Sequence, residues 1–463
     1  MNQQMALSPK VFNQICDIVG RDHCTRLEED RVCYGYDATR RFYSPEAVAF
    51  PGSAGEVSAI LKLANREGFS VTPRGAGSGM SGGALPVAGG LAMVMTRFNR
   101  ILEIDTDNLV AIAQSGVVTG VFQKAVESRG LFYPPDPSSA DFSTLGGNLA
   151  ECAGGVRAVK YGVTRDYVLG MEVVLPTGEI LRFGVRTAKG VVGYDLARLI
   201  VGSEGTLGVI TEMTLRLLPR PETVKTIMAV YEKMETAAEA VSEIIRRGIV
   251  PRALEYMDNA AIRCVESYIG GGFPEEAGAV LLIELDGTAT EVDSLIPKIT
   301  AVLETQFHGR VHAAADAADA ARLWKARKAI SPSLRRYGTG KINEDIVVPR
   351  NRVPAMVSKI KALSEETGLI MVSFGHAGDG NIHFNVMFDK DDAEQTRLAL
   401  HAVDAVFDYT LALGGTLSGE HGVGISKAPY MDREISAEVL ALMRRIKHAF
   451  DPSGILNPGK MLL

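Results

Sequence analysis

The sequence predicts an α+β protein of two domains, the second built on an antiparallel sheet. Three observations carry that expectation. The chain has 463 residues, and at roughly 150 residues per domain this calls for two or three domains. Up to about residue 220, short strands and helices are mixed with glycine-dense loops, whereas beyond Pro219–Pro221 strands and helices alternate regularly. Hydrophobic residues make up 46% and charged residues 22%, enough for a large core that needs no disulfide or structural metal.

The elements follow in order. Ser53 and Glu56 form a capping box for a helix over 53–68, with Val57, Ile60, Leu61 and Ala64 as its apolar stripe and Gly68 at its end. Phe69 to Thr72 reads as a short strand that opens into PRGAGSGMSGGALPVAGG. LAMVMT, LVAIAQSGV and MEVVLP read as buried strands. Past the boundary come TIMAVYE, a helix through 235–247, ALEYM, VLLIELDG and a helix near 289–304. LIMVSFGH and IHFNVMF flank a tight Asp-Gly turn, and a helix follows at about 392–413. The succession suits a split β-α-β sheet with helices on one face.

Composition excludes several function classes. Acids outnumber bases by 55 to 49, so neither nucleic acid nor an anionic lipid surface is an expected partner. The five cysteines, 16, 24, 33, 152 and 264, form no C-x-x-C pair, which argues against an iron–sulfur cluster or a Cys-type zinc site. Their odd, scattered set reads as reduced thiols in a cytoplasm. No basic start with a long apolar run opens the chain, so no signal peptide is expected. No stretch approaches about 18 apolar residues, so no transmembrane segment is expected.

Gly77, Gly79 and Gly82 match G-x-G-x-x-G. A dinucleotide-binding reading needs a helix to start there, and Pro86, Gly89 and Gly90 prevent one. A glycine-dense loop can still cradle a diphosphate through successive backbone N–H groups, or be a long surface loop. PPDPSS, STLGGNLAECAGGVRAVKYG and VGSEGTLGVITE join it, and four such segments in one domain suggest one extended ligand lying along several loops.

The second domain carries another constellation. His376 ends one apolar strand and His383 begins the next, across HAGDGNIH, and Glu420 and His421 stand together between Gly419 and Gly422. Two histidines and a carboxylate suit a divalent metal with open positions. The same spacing also suits a simple hairpin at Asp379-Gly380 with core or surface histidines. Residues 322–341 hold seven bases and no acid, a solvated helix face in the main.

PRGAGSGMSGGALP, PPDPSS, TLGGNLAECAGGVRAVKYG, GYDLARLIVGSEGTLGVITE, HAGDGNIHFN, GEHGVG and FDPSGILNPGK together resemble, in the family's own order, the FAD-linked D-2-hydroxyacid dehydrogenases. These are vanillyl-alcohol-oxidase-like flavoproteins that include D-lactate dehydrogenases and the FAD subunit of glycolate oxidase. The resemblance runs from about Tyr34 onward. It implies a two-subdomain FAD-binding domain over 1–220, an α+β substrate and metal domain with an antiparallel sheet over 221–415, and a segment, 416–463, that returns to the FAD domain.

The resemblance also implies site residues. Arg74, Gly75, Ala76, Gly77, Ser78 and Gly79 would cradle the pyrophosphate of FAD. Pro135, Asp136, Ser138, Gly146, Gly147, Asn148, Ala153, Gly154 and Gly155 would lie along the flavin and ribityl chain, Glu204 and Ile210 near the adenosine, and Asn457 near the ring. No histidine lies between His23 and His308, so the FAD would be non-covalent. His376, His383 and Glu420 would bind Zn or Mn, and His421 would be the base. Arg327 in LWKARK would grip the substrate carboxylate, with Lys341 and Asn385 on the substrate side, while Trp324 reads as core.

The expected function is oxidation of a small D-2-hydroxy acid, D-lactate ahead of glycolate, to the 2-oxo acid. No second redox motif is present, so the electrons would pass to a partner: an iron–sulfur subunit, an electron-transferring flavoprotein or a quinone. A homodimer or hetero-complex is expected, in the cytoplasm or held at the inner membrane through a partner. Two other readings stay open at this point: a non-catalytic FAD subunit of a larger redox complex, and a metal-free flavoprotein oxidising sugars or alcohols.

Overall fold

In the computed structural model, residues 6–270 and 272–462 are described. They fall into two compact units: Met1–Gly155 with Val163–Arg220 and Glu420–Leu463, and Val156–Gly162 with Pro221–Gly419.

The first unit opens with a helix, Pro9–Val19, started by the Ser8 side chain, which accepts from Val11 N, and by a proline in the first turn. Its Val11, Ile15 and Val19 enter a core shared with Val57, Ile60, Leu61 and Ala64 of helix Ala54–Glu67. That second helix matches its sequence signals: Ser53 accepts from Glu56 N, and Gly68 closes it in the left-handed conformation at φ 74°. The Glu56 carboxylate reaches back one residue further than in a standard capping box, to Gly52 N at 2.8 Å.

The expectation of reduced thiols fails at the N-terminus, where Cys16 and Cys24 are disulfide-bonded, their Cα atoms 5.7 Å apart. Cys16 lies on the buried face of the first helix, and the chain reverses at Gly20 to bring the strand Cys24–Thr25 alongside. A separation of eight residues carries no sign of that reversal. Among the described residues Cys33, Cys152 and Cys264 are free.

A four-stranded sheet runs in the order Cys24–Thr25, Ala47–Ala49, Leu91–Val94, Val71–Arg74, parallel except at its first pair. A five-stranded antiparallel sheet runs Ile101–Asp105, Val110–Gln114, Val209–Arg216, Val168–Val174, Ile180–Gly184. The C-terminal segment adds to the first sheet: Val71 N donates to Ile455 O at 2.9 Å, and Asn457 N donates to Val71 O at 2.8 Å. Lys447 secures it, donating to Thr206 O at 2.7 Å and Leu456 O at 2.8 Å.

The second unit is a seven-stranded, wholly antiparallel sheet in the order Arg310–Ala313, Thr223–Tyr231, Ala279–Gly287, Ala253–Asp258, Ile370–His376, Asn381–Phe388, Gly340–Val347. Its helices form two groups rather than the single layer expected. Val353–Thr367 contacts both Met234–Arg246 and Ala393–Ala412. Asn259–Ile269 pairs instead with Ala317–Leu334, over Met257, Val280, Phe374 and Met387. The Ala289–Thr300 helix continues as a wider π turn, Ala301–Gln306.

Asp258 ties sheet to helix. Its carboxylate caps Asn259–Ile269 through Ala261 N at 2.7 Å and accepts from Ser373 N at 2.7 Å and Ser373 Oγ at 2.8 Å. Burial outweighs those bonds and raises its pKa to about 6, whereas an unfolded aspartate titrates near about 4. The native chain holds this proton more tightly, so the stability it contributes is present below about pH 4 and lost as pH rises through about 6. Removing the titration with Asp258→Asn should therefore gain up to about 3 kcal/mol relative to wild type between about pH 4 and about pH 7. Denaturant unfolding at several pH values checks this; parallel stability curves would refute it.

Candidate active site

In the first unit a cleft opens between the 73–84 loop, the 137–154 segment and the 203–210 turn. Backbone shapes its floor. Gly77 stands at φ 68°, and a Cβ there would run into the Arg74 guanidinium. Gly146 donates to Ser115 O at 2.8 Å, and a Cβ on it would sit 2.6 Å from Ser115 Cβ. These are positions where only glycine lets two chain segments and a ligand approach one another. The Ser115 hydroxyl, on the cleft wall, is buried without a hydrogen-bond partner among the described residues. A backbone cradle with an unsatisfied donor suits a phosphate-bearing cofactor.

The cleft wall includes the whole 74–79 loop, Ser138, Gly146, Gly147, Asn148, Ala153, Gly154, Glu204 and Ile210, and also Glu420 and His421. Pro135, Asp136, Gly155 and Asn457 are not on that wall. Asn457 is buried instead as a fastener, its amide donating to Gly83 O at 3.0 Å and Glu204 O at 2.8 Å. Glu204 is buried, and its carboxylate accepts from Val423 N at 2.6 Å and Gly424 N at 2.7 Å. Desolvation raises its pKa against those bonds and the nearby Lys460 and Lys427. Burial pushes the Lys460 ammonium down to about 8, partly offset by Glu204, Asp37 and Glu151. Glu204 thus pins the chain just past His421. On the other side, a Cβ on Gly154 would lie 2.6 Å from Glu420 Oε2, so the carboxylate rests against bare backbone.

The second unit carries a polar patch on otherwise apolar strands. Glu255 faces His376 directly across two strands, and Phe374 faces His383 across the next pair. Both histidines are buried, with ring centroids 5.2 Å apart and planes at 83°. Glu255, wholly buried, accepts from His376 Nδ1 at 2.5 Å through Oε1. Its Oε2 accepts from Arg327 Nε at 2.9 Å and from the terminal guanidinium nitrogen at 2.6 Å. Arg327 also lies over the Phe374 ring, 4.7 Å from its centroid.

Asn385 is fully buried opposite Asn343, and its Oδ1 has no hydrogen-bond partner among the described residues. Lys341 Nζ lies 3.1 Å from Ser331 Oγ. Trp324 is half-buried and donates to Glu284 Oε1 at 2.7 Å. Asp345, buried and facing His383 in register, accepts from Gly419 N at 2.8 Å and Ser418 Oγ at 3.3 Å. It therefore fixes the residue bonded directly to Glu420.

Two imidazoles, one already donating through Nδ1, offer nitrogen donors of the kind a divalent metal takes. Sequence reasoning missed Glu255, Asp345 and Ser115. The signal for Glu255 was an acid placed among apolar neighbours in ALEYM, whereas Asp345 lies among other polar residues in KINEDIV and gave no such signal.

Comparison with known proteins identifies the family. A family model described as FAD linked oxidases, C-terminal domain, matches residues 220–461, and an FAD binding domain model matches residues 45–184. The glycolate oxidase subunit GlcD of Bacillus subtilis is 43% identical over 456 residues, 98% of this chain and 97% of that protein. GlcD of Escherichia coli is 37% identical over 446 residues, 95% and 89% of the two chains. A D-lactate dehydrogenase of Anaerostipes hadrus is 38% identical over 426 residues, 90% and 89% of the two chains.

Two solved structures share the fold at 19% identity. p-Cresol methylhydroxylase has a TM-score of 0.80, and 4-ethylphenol oxidase from Gulosibacter chungangensis 0.78; each match covers 98% of this chain and 96% of the other. The chain has the vanillyl-alcohol-oxidase fold and belongs to the FAD-linked D-2-hydroxyacid dehydrogenase family, FAD-dependent oxidoreductases of hydroxy acids.

Proposed function

We propose that this chain oxidises a small D-2-hydroxy acid, D-lactate ahead of glycolate, in a metal-dependent reaction and passes the electrons to a separate acceptor. The observation that carries the proposal is that one carboxylate, Glu255, bonds both the His376 imidazole and the Arg327 guanidinium, with the buried His383 ring 5.2 Å from that of His376. That pairing suits a hydroxy acid: a cation for its hydroxyl and a guanidinium for its carboxylate.

His376 and His383 would supply two nitrogens to the metal, Zn or Mn, and Glu420 a carboxylate oxygen. In support, Asp345 holds Gly419, the residue before Glu420, opposite the His383 strand. When bound, the metal would supply a Lewis acid that lowers the pKa of the substrate hydroxyl, and FAD would supply the acceptor for the C2 hydride. Arg327 holds the carboxylate through the guanidinium edge that Glu255 leaves open. Asn385 and Lys341 add polar contacts on the substrate side. An imidazole nitrogen of His421 accepts the hydroxyl proton. The 74–79 loop, Ser138, Gly146, Gly147, Asn148, Ala153 and Gly154 would hold FAD non-covalently, with Pro135, Asp136 and Gly155 supporting the same loops from behind. Glu204 and Ile210 would complete the pocket, with Asn457 fastening Gly83 and Glu204 behind it.

The relatives bear both substrate names, glycolate oxidase and D-lactate dehydrogenase, and the two acids differ by one methyl group. The acceptor would be an iron–sulfur subunit, an electron-transferring flavoprotein or a quinone. Among the described residues no helix is long and apolar enough to cross a membrane, so membrane contact, if the acceptor requires it, would come through that partner. Assembly as a homodimer or hetero-complex, and a cytoplasmic location, belong to the same proposal.

Three outcomes test it. Under anaerobic mixing, His421→Ala should slow flavin bleaching by D-lactate by about 10²–10⁴-fold while FAD stays bound; wild-type rates would refute the base assignment. Chelation should lower turnover by at least about 100-fold, with recovery on adding zinc or manganese; indifference to strong chelators would favour a metal-free flavoprotein. D-lactate should exceed glycolate in kcat/KM by about 10- to 200-fold, the range for one methyl group in a fitted pocket. A reversed preference would overturn the substrate order.

A further inference from the structure

We propose that Glu255 is a positioning residue that couples metal binding to substrate-carboxylate binding; this rests on the metal-dependent reading above. Glu255 lies at the centre of the seven-stranded sheet, fully buried, with both oxygens committed to functional side chains. Through Oε1 it accepts a hydrogen bond from His376 Nδ1, and through Oε2 it accepts from two N–H groups of Arg327.

Each bond has a separate consequence. An ionised carboxylate only accepts hydrogen bonds, so Nδ1 of His376 carries the ring proton and Nε2 keeps its lone pair. That is the tautomer a metal needs, and the bond also fixes the plane of the ring. On the other side, Arg327 is tied along its Nε edge and pressed over Phe374, so its remaining N–H groups point in one direction. One rigid carboxylate therefore sets the distance between the metal ligand and the guanidinium. That distance must match the span from the hydroxyl to the carboxylate of a 2-hydroxy acid, which is the same for every member of the class. Glu255 thereby selects the 2-hydroxy relationship and leaves the rest of the substrate to other residues.

Glu255→Gln is the informative change, because it keeps size and burial. A carboxamide presents one acceptor and one donor. It can accept from His376 or from Arg327, and its NH2 group opposes whichever remains. The experiment uses the full-length FAD-loaded protein, stripped of metal and titrated with Zn2+ against a chromophoric chelator, with KM for D-lactate measured at saturating Zn2+. The flavin absorbance and the melting temperature report folding.

Glu255→Gln should weaken Zn2+ affinity by about 10- to 100-fold and raise KM by a similar factor. Arg327→Lys should raise KM but leave Zn2+ affinity within about twofold, and His383→Ala should lose Zn2+ binding. If Glu255→Gln changes neither readout, or only one of them, while His383→Ala is Zn2+-deficient, the coupling role is overturned and the metal reading stands. If wild type and His383→Ala bind Zn2+ alike, the metal reading itself falls and the inference with it. Should Glu255→Gln lose FAD or melt early, Glu255→Asp takes its place: it retains the charge but withdraws the carboxylate by one methylene, and the same two readouts must shift together.

Discussion

A carboxylate with no water around it has to be paired, and Glu255 is paired twice. Much of the second unit follows from that requirement. The strand neighbour must be His376, which the antiparallel register places opposite Glu255. The Ala317–Leu334 helix must cross the sheet close enough to deliver Arg327. Trp324, one turn earlier on that helix, makes the parallel contact with Glu284. Breaking one partner of such a buried group typically costs about 3–5 kcal/mol, so the helix and the histidine are held to the sheet by more than apolar contact.

The first unit uses the same device with backbone in place of side chains. Glu204 is buried and answers two consecutive N–H groups, Val423 and Gly424. A mobile segment would satisfy those amides with water. Here they are met by an acid from the cleft itself, so the wall bearing Glu420 and His421 is as firm as the loop that holds Glu204. The family's oxidation of hydroxy acids asks for this kind of preorganisation, because hydride transfer tolerates little error in placement.

Sequence alone read the elements well where the signals are local. The Ser53–Glu56 start, the Gly68 stop and the strands around His376 and His383 all sit within a residue or two of their expected places. It read poorly whatever depends on distant segments meeting. The Cys16–Cys24 bond needs a chain reversal, the helices of the second unit split into two groups, and Glu255 means nothing until the register sets it against His376. Arg327 and the histidines were legible through the family's motifs. The acids that orient them were not: the neighbours of Glu255 are apolar and say only that its strand is buried, while Asp345 follows another acid, Glu344, with nothing local to single it out.

The strap at the end of the chain has a consequence for biosynthesis. Val71 completes its hydrogen bonding only with Ile455 and Asn457, which emerge from the ribosome after the entire 221–419 stretch. The later-made unit, nearly continuous in sequence, can therefore close while the earlier one still has an open sheet edge. The sheet edge at Val71 is thus completed only once residues 455–457 have been made.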